Sequence, residues 1–250
     1  MRNESCMLTS MLIVVVLLSG CSPMLLIQNG PVVNSLPANL QVEAEQQGWW
    51  QLRFQLVWPE GEPLEFSRHA LIAEQILAPI INKYDSTIGL WRFHRRANRD
   101  SAGHQFSFIF YTDASTAAEM NLQVLDNPLT KWLKQRALIE SVHFVAVSGQ
   151  NPSRLEQTSD QHWPLAIQRS WPYFIMGVSQ TWLVLVQELS AQQKLSGEIG
   201  YSELLNHYKE VNQSLTGLWK VHGQHAYLHH LNAIFGYESL KIKTNSWSSF

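Results

Sequence analysis

From Trp49 to Trp58 the chain alternates. Trp50, Leu52, Phe54, Leu56 and Trp58 share one side, and Gln51, Arg53 and Gln55 the other, which is the period-2 signature of a strand with one buried face. Pro59-Glu60-Gly61 turns the chain. Residues 65–83 then carry Leu71, Ile72, Ile76, Leu77 and Ile80 at helical spacing. Two more alternating runs, 88–97 and 104–112, flank the turn-rich segment 98–103 and read as a hairpin. Residues 114–135 read as helical with a break at Asn127-Pro128, since the residue before a proline is pushed out of the helical region. A fourth strand is expected over 139–147. The order β-α-β-β-α-β predicts an α+β fold of the ferredoxin-like kind.

Past a polar connection at 149–164 the pattern becomes helical. Residues 165–192 read as one long segment, straight or kinked at Pro172. Its apolar stretch Tyr173–Val186, interrupted by Ser179, Gln180 and Thr181, predicts a buried helix. Over 202–220, Leu204, Leu205, Tyr208, Val211, Leu215, Leu218 and Trp219 keep a 3.6 period. A last helix is expected around 224–236, with Tyr227, Leu228, Leu231, Ile234 and Phe235 as its core face. The expected organisation is a signal segment at 1–20, a tether at 21–47, the ferredoxin-like part at 48–148 and a helical part packed on it at 149–250.

The N-terminus has its own pattern. Arg2 and the free amine precede an apolar run, Met11 to Leu18, that is too short to span a bilayer and fits the core of a secretory signal. It ends in Leu18-Ser19-Gly20-Cys21, which resembles a bacterial lipoprotein lipobox. The resemblance implies cleavage before Cys21, a diacylglycerol on its thiol and an acyl chain on the new amine. Several acyl chains anchor stably where one does not. Ser22 follows, where an aspartate would favour the inner membrane. The implied address, for a Gram-negative host, is the periplasmic face of the outer membrane.

Composition narrows the function classes. Of the two cysteines, Cys6 leaves with the signal and Cys21 carries lipid. That excludes a cysteine nucleophile, a thiolate zinc site and an iron–sulfur cluster, and it suits an oxidising compartment. The net charge of −2 gives no general pull toward nucleic acid. Ten tryptophans and ten phenylalanines supply ample core. There is no GxGxxG, no P-loop and no complete GxSxG elbow.

The alternation sorts the sheet chemistry. If the helices cover the aromatic side (Trp50, Phe54, Trp91, Phe93, Phe106, Phe108), the other face receives Arg53, Arg92, His94, Arg96, Gln105, Ser107, Ser141 and His143. Guanidinium forks suit carboxylates and phosphates. With the C-terminal helices closed over it, this face would be a cationic pocket. A second cluster lies in His222, His225, His229 and His230. On a helix His225 and His229 are i,i+4 neighbours, a usable zinc spacing without the HExxH glutamate, while His230 points elsewhere. Asp100 and Asp113 flank the hairpin and read as turn formers.

The block from Trp49 to Tyr111 resembles the thiopeptide-type, or lantibiotic-dehydratase C-terminal, domain. The resemblance lies in Trp91-Arg92-Phe93-His94-Arg95-Arg96, then Asp100, then His104-Gln105-Phe106-Ser107-Phe108. Gln105 and Ser107 replace that family's basic positions. The resemblance implies the fold and an anion-facing sheet, and no activity.

The expected function is therefore a non-enzymatic, lipid-anchored binding or assembly module. Arg53, Arg92, His94, Arg96, Ser107 and His143 would meet an envelope protein or a small anionic ligand. No cofactor is expected. The alternative is a periplasmic hydrolase or metal-dependent enzyme, with zinc on His225 and His229.

Overall fold

The computed structural model describes residues 47–147, 154–193 and 200–239. The signal segment, Cys21 and the tether lie outside the described residues. The first strand, β1 (Gln47–Leu56), leads into a helix in three parts: α1 (Ser67–Ile72), a π-helical turn (Ala73–Leu77) and α2 (Ala78–Lys83). Strands β2 (Leu90–Ala97) and β3 (His104–Asp113) follow, then α3 (Ala114–Asp126), α4 (Pro128–Gln135) and β4 (Ile139–Ala146). A 3-10 turn (Leu155–Thr158) precedes α5 (Leu165–Gln192) and α6 (Tyr201–Gly223). A second π-helical turn (Gln224–His229) and α7 (His230–Ile234) end the described chain.

The result is a mixed α and β structure around one four-stranded sheet, in the order β2-β3-β1-β4, with every neighbouring pair antiparallel. Alternation dictates the faces. Trp50, Leu52 and Phe54 share a side with Phe106, Phe108, Phe110, Trp91 and Phe93, because the register pairs them across the strands. That side joins Leu71, Ile72, Ile76 and Leu77 of the first helix and Met120, Val124 and Leu133 of α3 and α4 in one core. Each of these large side chains contributes about 1.5–3 kcal/mol by leaving water. The break between the third and fourth helices falls at Asn127, whose side chain accepts from Leu129 N–H at 2.9 Å and caps the helix that Pro128 begins. Asp113 caps α3 by accepting from Thr116 N–H at 2.8 Å.

The C-terminal helices join the same core through Leu183, Val186, Leu189, Tyr208, Val211 and Leu215. Two expectations change here. The helices do not close over the polar sheet face: α6 packs on α1, and α5 runs along β2, the strand at one edge of the sheet. Ser179 of α5 accepts from the buried Phe93 N–H at 3.0 Å and so closes an edge that would otherwise present an orphaned donor. Nor is α5 buried all round. Tyr173, Phe174, Val178 and Val184 are exposed, since a helix lying along one sheet edge has only one face to bury. No helix among the described residues is long and apolar enough to cross a membrane.

Candidate functional site

The polar face of the sheet carries a rank of four side chains in register. His94 of β2 pairs with Ser107 of β3, Ser107 with Arg53 of β1, and Arg53 with His143 of β4. Neighbouring strands lie about 4.8 Å apart, so the rank crosses the whole sheet in about 15 Å. His94 and His143 are exposed, Arg53 is half-buried and Ser107 is buried, with its hydroxyl accepting from Gln51 Nε2 at 2.9 Å. Ser141 Oγ lies 2.7 Å from His143 Nε2. Arg53 Nε is buried without a hydrogen-bond partner among the described residues. Partial desolvation, with Arg92 and Arg96 nearby, pushes the His94 imidazole below its usual range, favouring its neutral form.

The other two arginines of this face have structural engagements. Arg92 reaches the 3-10 turn, donating from Nε to Thr158 Oγ1 at 3.3 Å, and its guanidinium sits 4.9 Å from the Trp171 ring. Burial lowers its pKa to about 10. Arg96 holds Asp100 in the hairpin loop, donating from Nη1 at 2.8 Å and pairing through Nη2. The Asp100 carboxylate also accepts from the Ala102 and Gly103 amides, at 3.0 and 3.1 Å, as a turn former does. Of the six ligand-binding residues expected from the sequence, four thus stand together and two tie down the ends of β2.

A second cluster, on the opposite side of the sheet, escaped the sequence reading. His69 of α1 and His104 of β3 lie with ring centroids 4.7 Å apart, both buried. Arg95 donates from Nε to His69 Nδ1 at 3.1 Å and lies 4.5 Å from the Phe66 ring and 5.0 Å from the Trp182 ring. A guanidinium only donates, so His69 Nδ1 accepts and the ring is neutral with its proton on Nε2. His69 Nε2, His104 Nδ1 and Nε2, and Trp182 Nε1 are all buried without a partner among the described residues. Burial, then Arg95, His104 and Arg68, hold His69 well below the usual histidine range. Burial with Arg68 and Arg95 lowers His104 to about 4. Burial also lowers Arg95 to about 10. Arg68 itself ties the residue after β1 to the residue before β4, donating from Nη1 to Leu138 O at 2.7 Å and from Nη2 to Val57 O at 3.0 Å. It lines a cleft of about 190 Å³ with Val57, Ser67, Leu205 and Lys209.

The C-terminal histidines are arranged differently from expectation. The π-helical turn adds a residue per turn, so His230 comes round to His225 rather than pointing elsewhere. The His225 ring lies 5.4 Å from His229 and 5.9 Å from His230, and His229 lies 5.4 Å from His230. The His225 and His229 rings are nearly parallel, 3° apart, a stacked arrangement that does not aim two lone pairs at one ion. Among the described residues no three His, Cys, Asp or Glu side chains are placed to hold a metal. The expected core face of this helix is also on the outside: Tyr227, Leu228, Leu231, Ile234 and Phe235 are exposed, as are Leu218 and Trp219 at the end of α6. The segment continues α6 without a break, and its histidine rings contact one another and Tyr237 rather than the sheet histidines.

No protein-family model, no curated protein and no solved structure matches this chain.

Proposed function

We propose that this chain is a lipoprotein, acylated at Cys21 and held at the periplasmic face of an outer membrane. On this reading its ferredoxin-like domain is a non-enzymatic binding or assembly module. The sheet face receives an anionic partner or ligand, with Arg53, Ser107, His94 and His143 as its contacts. Strand order and antiparallel pairing support the ferredoxin-like arrangement. The observation that carries the functional reading is the in-register rank His94–Ser107–Arg53–His143. The strand positions around this rank, from Trp49 to Gln55, Leu90 to Arg96, Gln105 to Tyr111 and Ser141 to Val145, include no carboxylate, and Asp113 at the far end of β3 on the same face is engaged in capping α3. An arginine among neutral hydroxyl, amide and imidazole groups, with no acid to neutralise it, suits a carboxylate, sulfate or phosphate.

The outer members of the rank, His94 and His143, are exposed, while Ser107 between them is buried, as are Trp49, Leu90, Ile109 and Tyr111 on the same face. The groups a partner can reach are therefore the two histidines and the half-buried Arg53. The test is native against denaturing mass spectrometry of the full chain released from envelopes, wild type beside Arg53→Glu with His143→Glu. A non-covalent anionic companion present on the wild type and absent from the variant is expected. A variant that keeps everything the wild type carries would overturn the reading.

A further inference from the structure

The last described stretch of the chain breaks the usual rule of burial. Trp219, Leu228, Leu231, Ile234, Phe235 and Tyr237 are all exposed, Ile234 by 82% and Phe235 by 69%. They follow one another along the end of α6, the π-helical turn and α7, none of whose turn or α7 residues is buried. A run of this kind marks an interaction surface.

Three observations point to what meets it. The first is its chemistry. Leu228, Leu231, Ile234 and Phe235 supply an aliphatic and aromatic body, while Trp219 and Tyr227, stacked at 6.2 Å, and Tyr237 bring rings with a polar edge. Such rings sit well at the level of lipid headgroups. The second is charge. Between Glu210 and Glu238 the sequence holds no aspartate or glutamate, while Lys220 and four histidines accompany the apolar residues. Between those two flanking acids an anionic headgroup layer meets no carboxylate. The third is reach. Twenty-five residues lie between Cys21 and Gln47, a stretch that at about 3.5 Å per residue spans at most roughly 90 Å. A chain anchored at Cys21 keeps the bilayer permanently within range of every face of its domain.

We infer that the end of α6, the π-helical turn and α7 form a second, protein-borne membrane contact that lays Trp219, Leu228, Leu231, Ile234 and Phe235 into the headgroup boundary of an anionic lipid surface. The inference rests on the lipoprotein reading for its geometry of reach. One shallow contact of this size binds weakly alone. Anchoring raises the effective concentration of lipid, so a weak contact is occupied. The domain is then held in one orientation instead of swinging on its tether, and the sheet face is presented at a fixed angle.

The acylated mature chain offers no other thiol, so Ile234→Cys creates a single attachment point for an environment-sensitive fluorophore at a position already exposed. The labelled full chain is reconstituted in phosphatidylcholine vesicles with and without phosphatidylglycerol, beside the same label at Asp85→Cys, an exposed position after α2. Blue-shifted, brighter emission at position 234, quenched by nitroxide-bearing lipid, is expected, with water-like emission at position 85. Adding Leu228→Ser, Leu231→Ser and Phe235→Ser should return position 234 to water-like emission. Water-like emission at 234 in the unsubstituted arm overturns the inference. So does a blue shift that grows with protein concentration without lipid, which would mean a second copy covers the arm. The intact mass of the N-terminus is read separately. An unacylated Cys21 sinks the lipoprotein reading alone, and the label at 234 in a chain carrying both Cys6→Ser and Cys21→Ser, added to preformed vesicles, still reads the contact.

Discussion

Arg95 donates from Nε to Nδ1 of His69 at 3.1 Å, and this one bond fixes the buried imidazole as neutral, with its proton on Nε2. It also explains how a guanidinium with no carboxylate partner among the described residues persists in the core. Its charge is met by an imidazole nitrogen and by the faces of Phe66 and Trp182, at 4.5 and 5.0 Å. The arrangement works only while His69 and His104 stay unprotonated.

Acid should therefore destabilise this protein early. Both folded-state values lie below the ordinary 6.5, His104 at about 4 and His69 well below, with burial as the first cause. The unfolded chain binds these protons first as pH falls. The stability they confer is complete above about pH 6.5 and is lost progressively between pH 6.5 and about 4. For His104 alone the full loss is of the order of 3 kcal/mol. Urea denaturation at pH 7.5, 6, 5 and 4.5 should show this decline. In His104→Phe the decline should be shallower, while stability at pH 7.5 stays within about 1 kcal/mol, since an unpartnered buried ring is replaced by an apolar one. An unchanged slope would remove His104 from the account.

Ser179→Ala should loosen the sheet edge. It leaves the Phe93 amide without its acceptor at 3.0 Å, at a cost of about 1–3 kcal/mol for a buried donor. Hydrogen exchange should accelerate at Phe93 more than at the central strand β1. The side chain removed is small, so packing loss is minor and the two effects separate.

Gly103→Ala should cost about 1–2 kcal/mol. The residue has φ +63°, and a Cβ there would stand 2.9 Å from Gln55 Nε2. The hairpin between β2 and β3 closes through Gly103 N–H on Asp100, so the loss should show as weaker protection at Ala97 and His104.

The sheet was legible because its signal is strictly local. Period-2 alternation places Arg53, His94, Ser107 and His143 on one face and six aromatics on the other without any tertiary information. The same alternation carries Arg95 two residues from Phe93, and His104 two from Phe106, onto the core side. That hint is masked by the habit of reading polar residues at strand ends as solvated. His69 has no such hint, because its helix is recognised by Leu71, Ile72 and Ile76, and only packing shows what lies against it. The π-helical turns were hidden for a related reason: one extra residue per turn breaks the 3.6 spacing by which faces are assigned. That shift brings His230 beside His225. In α5 and α7 apolarity alone suggested burial, but burial depends on whether a partner surface exists, which periodicity does not encode.

The sheet face yields the prediction that separates binding from folding. Arg53, His94 and His143 point away from the core, and neither histidine has a described partner beyond Ser141 for His143. Arg53→Gln removes a charge that no described carboxylate pairs with, so no acid is left unpaired. Its folding stability should shift by no more than about 0.5 kcal/mol, as for most surface changes. Binding should respond far more. Losing a charge-assisted bond to an anion costs about 1.5–3 kcal/mol, which is roughly 10- to 150-fold in affinity. Titrating the isotopically labelled chain with sulfate or with an acidic peptide should shift the amides of Arg53, Ser107 and His143 in the wild type, with the shifts much reduced in Arg53→Gln. Lys in place of Arg53 should restore part of the affinity, keeping the charge but not the fork. If Arg53→Gln unfolds the chain instead, its half-buried guanidinium is a structural group. If sulfate and peptide perturb Arg92 and Thr158 rather than the rank, the anion site lies at the β2 edge beside Trp171.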